Sequence, residues 1–258
     1  MTAKIIFVLS EARTGSTLLC QLLKHYKNTI NFHEIFHNVG DGNDNDVFNT
    51  SVSFNNVLLD QFGNGVFDRA TMFPKIFENP KKLLTLMGNH FNETLIVKIH
   101  LFQLFGYTYP VSHVLDWILE QPNHKFILLN RDFLKSYVSL LKAEQSDVWH
   151  NIDTTDIKVH VDVSRFKQEL IKYTWKYDTI KHKLQERGID YLNVDYDRDL
   201  KDYSIDEFEQ LVEPWSTRQG LDLTSAGTPW IRVKKQNTDD DISNSISNWS
   251  EIKEILNR

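Results

Sequence analysis

The sequence predicts an α/β fold: one central, mainly parallel sheet of five strands flanked by helices. Three observations carry this expectation. Short apolar runs rich in β-branched residues recur along the chain, the pattern of strands buried on both faces. Stretches with helical periodicity separate these runs, and such alternation implies parallel pairing through crossovers. The 258 residues, 41 % apolar and 12 % aromatic, suffice for a large core, and no repeat or low-complexity linker divides them. One domain over residues 1–258 is therefore expected.

The first strand is the run Ile5-Ile6-Phe7-Val8-Leu9. It breaks at Ser10-Glu11-Ala12-Arg13-Thr14-Gly15, and helical spacing resumes from Ser16 through Leu18, Leu19, Leu22, Leu23 and Tyr26. Residues 29–36, containing His33-Glu34-Ile35-Phe36, read as a second strand, and the Asn-, Asp- and Gly-rich residues 38–56 as a loop. Residues 66–91 are mostly helical, with Pro74 and Pro80 marking breaks. The third strand spans 94–101 and is interrupted by Lys98; an amphipathic helix over 111–120 follows, closed by Gln121-Pro122. The fourth strand, 125–130, runs directly into Arg131-Asp132 and a helix over about 133–144.

Residues 164–187 form the clearest helix. Phe166, Leu170, Tyr173, Tyr177, Ile180 and Leu184 share one face, Ser164 can cap it and Gly188 ends it. Its lysines read as a solvated face. A fifth strand over 189–195, a helix over 205–215, a loop over 225–238 bearing Arg232, Lys234 and Lys235, and a terminal helix over 242–256 complete the chain.

Composition narrows the function. A net charge of −6 gives no reason to expect nucleic acid or an anionic membrane as partner. No apolar stretch is long enough to span a bilayer and residues 1–20 lack the shape of a signal peptide, so a cytoplasmic location is expected. The single cysteine, Cys20, excludes an intramolecular disulfide and a cysteine-based metal cluster, and its leucine-rich setting points to packing. His33, Glu34 and His37 bring two histidines around a carboxylate. In a strand, however, His33 and Glu34 face opposite sides, so no metal is expected.

Chemistry concentrates at strand ends. A strand, a small-residue turn and a helix start at Arg13-Thr14-Gly15-Ser16-Thr17 make an anion cradle from amides, helix dipole and one cation. Laid on the commonest phosphate loop, G-x-x-x-x-G-K-[ST], Gly15 and Thr17 fit, but Ser10 replaces the first Gly and Ser16 the Lys. Loss of that Lys disfavours a kinase or ATPase. Lys98, in a buried run near a strand's C-terminal end, needs an anionic partner. Arg131, with Ser136 and Ser139 on the helix beyond, offers a second anion site; alone, Arg131-Asp132 reads equally as a salt-bridged helix start.

Taken together, these motifs resemble the sulfotransferases that use 3′-phosphoadenosine 5′-phosphosulfate (PAPS), most of all the bacterial trehalose-type family. Arg13 to Leu19 match the family's Arg-Ser-Gly-Ser-Thr-Leu-Leu loop, with Thr14 for Ser. Glu34 in Glu34-Ile35-Phe36 matches its catalytic Glu, Lys98 its strand Lys, and Arg131 with Ser139 its 3′-phosphate motif, although Asp132 follows the Arg where many members have Pro. Gln145 to Trp149, Val194-Asp195-Tyr196, and Lys235-Gln236 before Trp249 follow in the family's order.

The resemblance implies in-line transfer of a sulfuryl group from PAPS to an acceptor hydroxyl, with PAP as product and no metal. Arg13, Thr14, Gly15, Ser16 and Thr17 would hold the 5′-phosphosulfate, Arg131 and Ser139 the 3′-phosphate, and Lys235 would assist. Arg13 and Lys98 would stabilise charge on the bridging oxygen. Glu34 is the expected base, its pKa raised by desolvation. His100, in a Lys-Ile-His-Leu step similar to the Lys-Thr-His-Leu of cytosolic small-molecule sulfotransferases, is the rival. The acceptor implied is a small molecule, saccharide or glycolipid with a free hydroxyl, its pocket shaped by loops 38–56 and 147–160 and the aromatics of 102–109 and Trp149. A non-catalytic nucleotide-binding protein of the same fold is the alternative.

Overall fold

In the computed structural model, residues 2–36, 52–63, 69–106, 110–149, 153–225 and 241–256 are described. Five parallel strands form one sheet in the order β2-β3-β1-β4-β5: β1 Ile5–Ser10, β2 Thr29–Asn31, β3 Thr94–His100, β4 His124–Asn130 and β5 Tyr191–Asp195. β1 is the central strand and every residue in it is buried. Its end is in register with both neighbours, Ser10 pairing with His100 on β3 and with Leu129 on β4.

The period of two along each strand divides the core. Ile6, Val8, Ile96, Ile127, Leu129 and Val194 face α1 (Ser16–Lys24) and α9 (Ile205–Arg218), which bring Leu19, Leu23, Phe208 and Trp215. Ile5, Phe7, Leu9, Leu95, Val97, Ile99, Phe126 and Leu128 face the opposite layer. That layer contains α2 (Val52–Phe62), α3 (Arg69–Phe77), α4 (Pro80–His90), α5 (Leu101–Phe105), α6 (Leu115–Glu120) and part of α8 (Val163–Glu186). A smaller cluster joins α7 (Phe133–Ser146), the start of α8 and α10 (Trp249–Leu256) through Tyr137, Phe166 and Ile252.

Several elements differ from the sequence expectation, each for a local reason. The second strand stops at Asn31, because His33 takes a left-handed φ of 49° that no strand continues. Part of the expected 38–56 loop is the helix α2, while 37–51 lie outside the described residues. Pro80 does open a helix, at its first turn, but Pro74 sits inside α3. The expected helix over 111–120 begins as a 3-10 turn, Pro110–Val114, and the one over 242–256 as another, Ile242–Ser245. Asp162, rather than Ser164, caps α8, accepting from the Arg165 amide at 2.8 Å.

The connection leaving β1 leads through α1 to β2 at one edge of the sheet; the one leaving β4 leads through α7 and α8 to β5 at the other. Neighbouring strands whose connections diverge in this way open a crevice at their carboxyl ends, where open α/β sheets take ligands.

Candidate active site

The turn from β1 to α1 is built tightly. Thr14 Oγ1 donates to the Glu11 carbonyl at 2.7 Å, and Arg13 and Gly15 adopt φ of 63° and 89°. A left-handed arginine is a strained residue of the kind that gathers at functional sites. Gly15 is the N-cap of α1 and, lacking a side chain, leaves the first turn without a side-chain cap. Nothing larger fits there. A Cβ would stand 2.2 Å from Cδ2 of Tyr196, the residue after β5.

Two arginines meet over this turn. Arg13 Nε donates to Ser139 Oγ at 3.1 Å and its Nη1 to the Trp149 carbonyl at 2.7 Å. Arg131 Nη1 donates to the Arg13 carbonyl at 2.9 Å, and its Cζ lies 4.5 Å from the centre of the Tyr196 ring. Burial and then the Arg131 charge push the Arg13 pKa down. Among the described residues Arg131 has no carboxylate partner, and its Nε is buried without a hydrogen-bond partner. The salt-bridged helix start does not form. Asp132 instead caps α7, accepting from the Lys135 amide at 2.9 Å.

Beside the turn lies a second charged group. Lys98 and His100 stand on the face of β3 that looks toward α1, next to Val8 and Ser10. Lys98 is 3 % exposed; its Nζ forms an ion pair with Glu34 Oε1 and donates to Thr17 Oγ1 at 3.3 Å. His100 Nε2 is 3.2 Å from the same carboxylate oxygen. Burial would raise the Glu34 pKa, but the His100 hydrogen bond and the Lys98 charge outweigh it and hold the carboxyl well below its ordinary value. This overturns the expected upward shift.

The backbone around Glu34 is braced from both sides. His33 N donates to Asn31 Oδ1, and Asn31 Nδ2 to His33 Nε2, both at 3.0 Å. The fully buried Gln103 accepts from His100 N and donates to the Phe36 carbonyl, both at 2.9 Å. Burial first, then Lys98 and Lys24, lowers the His33 pKa to about 4. Among the described residues no three of His, Cys, Asp and Glu gather as metal ligands. His37 lies outside them, as does Lys235.

The structure thus brings together Arg13, Thr14, Gly15, Ser16, Thr17, Glu34, Lys98, His100, Arg131 and Ser139 around the start of α1. Ser136 is buried with its hydroxyl unpartnered among the described residues. Cys20 is buried in the core and its thiol is pushed up to about 12, as suits packing. Gln103 and the roles of three residues of α8 escaped the sequence reading, which named Tyr196 only as part of the step after the fifth strand. Tyr173 and Tyr177 appeared only as core positions, and Lys176 as part of a solvated face, yet Lys176 pairs with Glu11 at 2.6 Å.

Comparison with known proteins adds little. No family model matches the chain and no curated protein matches it. The crystal structure of a sulfotransferase from Alicyclobacillus acidocaldarius aligns with 99 % of this chain and 92 % of its own, at 11 % identity and a TM-score of 0.43. No helix among the described residues is long and apolar enough to cross a membrane.

Proposed function

We propose that the protein is a PAPS-dependent sulfotransferase acting on an acceptor hydroxyl, with a saccharide or glycolipid as the favoured acceptor. One observation carries this reading. Two arginines from the loops after adjacent strands converge with Ser139 at an uncapped helix start, and a Lys-carboxylate-His group stands beside that start through Thr17. The arginines and helix amides suit a nucleotide bearing two separate anionic groups. Ser16 in place of the phosphate-loop Lys speaks against a triphosphatase.

In this reading the amides of Gly15, Ser16 and Thr17, with Thr14 and Arg13, take the 5′-phosphosulfate. Arg131 and Ser139 take the 3′-phosphate, and Lys235 is assigned there by resemblance alone. The acceptor oxygen bonds to sulfur as the sulfur–phosphate oxygen bond breaks; PAP leaves, and the acceptor proton passes to Glu34. Lys98 neutralises the departing oxygen. As Lys98 turns to that charge its hold on Glu34 weakens, and the carboxylate regains basicity. His100 as base is the second reading. Glu34 sits at its Nε2, so the proton would have to go to Nδ1, which is buried without a partner among the described residues.

The test is calorimetric titration with PAP, ATP and 5′-AMP on wild type and Arg131→Ala. Tight binding of PAP without magnesium, weakened by Arg131→Ala, is expected. A preference for ATP with magnesium, or no binding, overturns the reading.

A further inference from the structure

The ladder between β1 and β4 ends in an unusual way. Ile5 N donates to the Asn123 carbonyl at 3.1 Å, and the two-residue repeat of a parallel pair carries that series to Glu11 N and the Leu129 carbonyl. That last rung is absent. The Tyr177 hydroxyl stands in its place, accepting from Glu11 N at 3.2 Å and donating to the Leu129 carbonyl at 2.6 Å.

One turn earlier on the same face of α8, Tyr173 does the same for the residue beyond β4. Its hydroxyl accepts from Arg131 N at 3.3 Å and donates to the Arg131 carbonyl at 2.8 Å. The two rings pack 4.6 Å apart, and burial raises both phenol pKa values, so both stay protonated and able to donate. Between them Lys176 holds the Glu11 carboxylate at 2.6 Å. The first backbone groups beyond the ladder on both strands, which lead into Arg13 and Arg131, are thus satisfied by α8 and not by each other.

We propose that α8 is the spacer of the binding crevice. Tyr177, as a wedge in the last rung, and Tyr173, as a clamp on Arg131, set the separation of the two anion-binding loops. They thereby set the preference for a nucleotide phosphorylated at both ribose ends over one phosphorylated at the 5′ end alone. These are positioning residues, acting through Arg13 and Arg131. The inference rests on the donor assignment proposed above. Removing the Tyr177 hydroxyl frees Glu11 N to close directly onto Leu129, which narrows the crevice while keeping both backbone groups paired.

The experiment measures affinity for PAP and for 5′-AMP on wild type, Tyr177→Phe and Tyr173→Phe, with the melting temperature of each. Wild type is expected to favour PAP. Tyr177→Phe should cut the PAP/AMP affinity ratio by tenfold or more, and Tyr173→Phe should lower it as well. A phenol that merely supports the fold would lower both affinities by one factor and leave the ratio intact. That outcome overturns the spacer while the donor assignment stands. A wild type without preference for PAP overturns the donor assignment, and the spacer with it. If Tyr177→Phe does not fold, Tyr173→Phe decides: an unchanged ratio there overturns the proposal.

Discussion

Arg131 props up Arg13: the guanidinium that follows β4 donates at 2.9 Å to the main-chain carbonyl of the arginine in the β1 loop. One cation thereby holds the strained backbone that presents the other. Arg131→Lys keeps the charge but loses the planar fork that reaches this carbonyl while stacking on Tyr196. A charge-assisted hydrogen bond contributes about 1.5–3 kcal/mol, so PAP affinity should fall roughly 10- to 100-fold. Equal affinities of variant and wild type in calorimetry would show that charge alone suffices.

Gly15→Ala adds a methyl into the Tyr196 ring at a backbone angle that costs an alanine about 1–2 kcal/mol. Thermal unfolding should show a melting point lower by several degrees. Combining Gly15→Ala with Tyr196→Ala should recover part of the loss, because the clash is between these two residues. Strict additivity in the double-mutant cycle would refute that attribution.

The base assignment separates cleanly in a turnover assay that follows PAP release from PAPS with a panel of saccharide acceptors. Glu34→Gln should lower kcat by about 10²- to 10⁴-fold, the usual worth of a general base, with PAP affinity changed only a few-fold. His100→Asn should retain more activity than Glu34→Gln. The reverse order would move the role to His100.

Stability should depend on pH in a defined sense. Burial holds His33 and His124 down to about 4, whereas an unfolded histidine titrates near about 6.5. Between these values the unfolded chain binds more protons, so stability falls as pH drops from about 6.5 to about 4. Glu34, also held below its ordinary value, adds stability that is whole above about 4.3 and is lost on further acidification. His33→Asn tolerates the left-handed φ of 49° and removes one titration. Urea midpoints at pH 7, 5.5 and 4 should decline less steeply for this variant. Parallel declines would mean that His33 does not titrate as described.

The sheet and the strand-turn-helix step from β1 to α1 were legible because β1, β3 and β4 are near-continuous apolar runs ended by small or charged residues. β2 was misjudged in length, since Ile30, Phe32 and Ile35 keep an apolar pattern past the point where His33 leaves strand geometry. α2 was missed under its asparagines, although Phe54, Leu58 and Phe62 recur every fourth residue and are buried. The direction of the Glu34 shift was unreadable for another reason. Burial can be inferred from neighbours in sequence, whereas the Lys98 and His100 partners arrive from a different strand. The roles of Tyr173 and Tyr177 depend likewise on which strand ends lie beneath their hydroxyls.

The central position of β1 also bears on how the molecule is made. β1 is made before both strands that flank it in the finished sheet, β3 and β4, and the loop after it is tied by Arg13 to Ser139 and by Glu11 to Lys176, contacts spanning 126 and 165 residues. Such distant pairings are slow to form, and synthesis delivers residues at about 5–20 per second. For several seconds a strand with five consecutive apolar residues, Ile5 to Leu9, is therefore without partners, an invitation to chaperones. Nascent chains arrested before α8 carry Arg13, Gly15 and Arg131 but lack the Tyr173 and Tyr177 hydroxyls that satisfy the ends of β1 and β4. On the donor assignment and spacer role proposed above, a bisphosphate nucleotide is captured only by chains that extend past Tyr177.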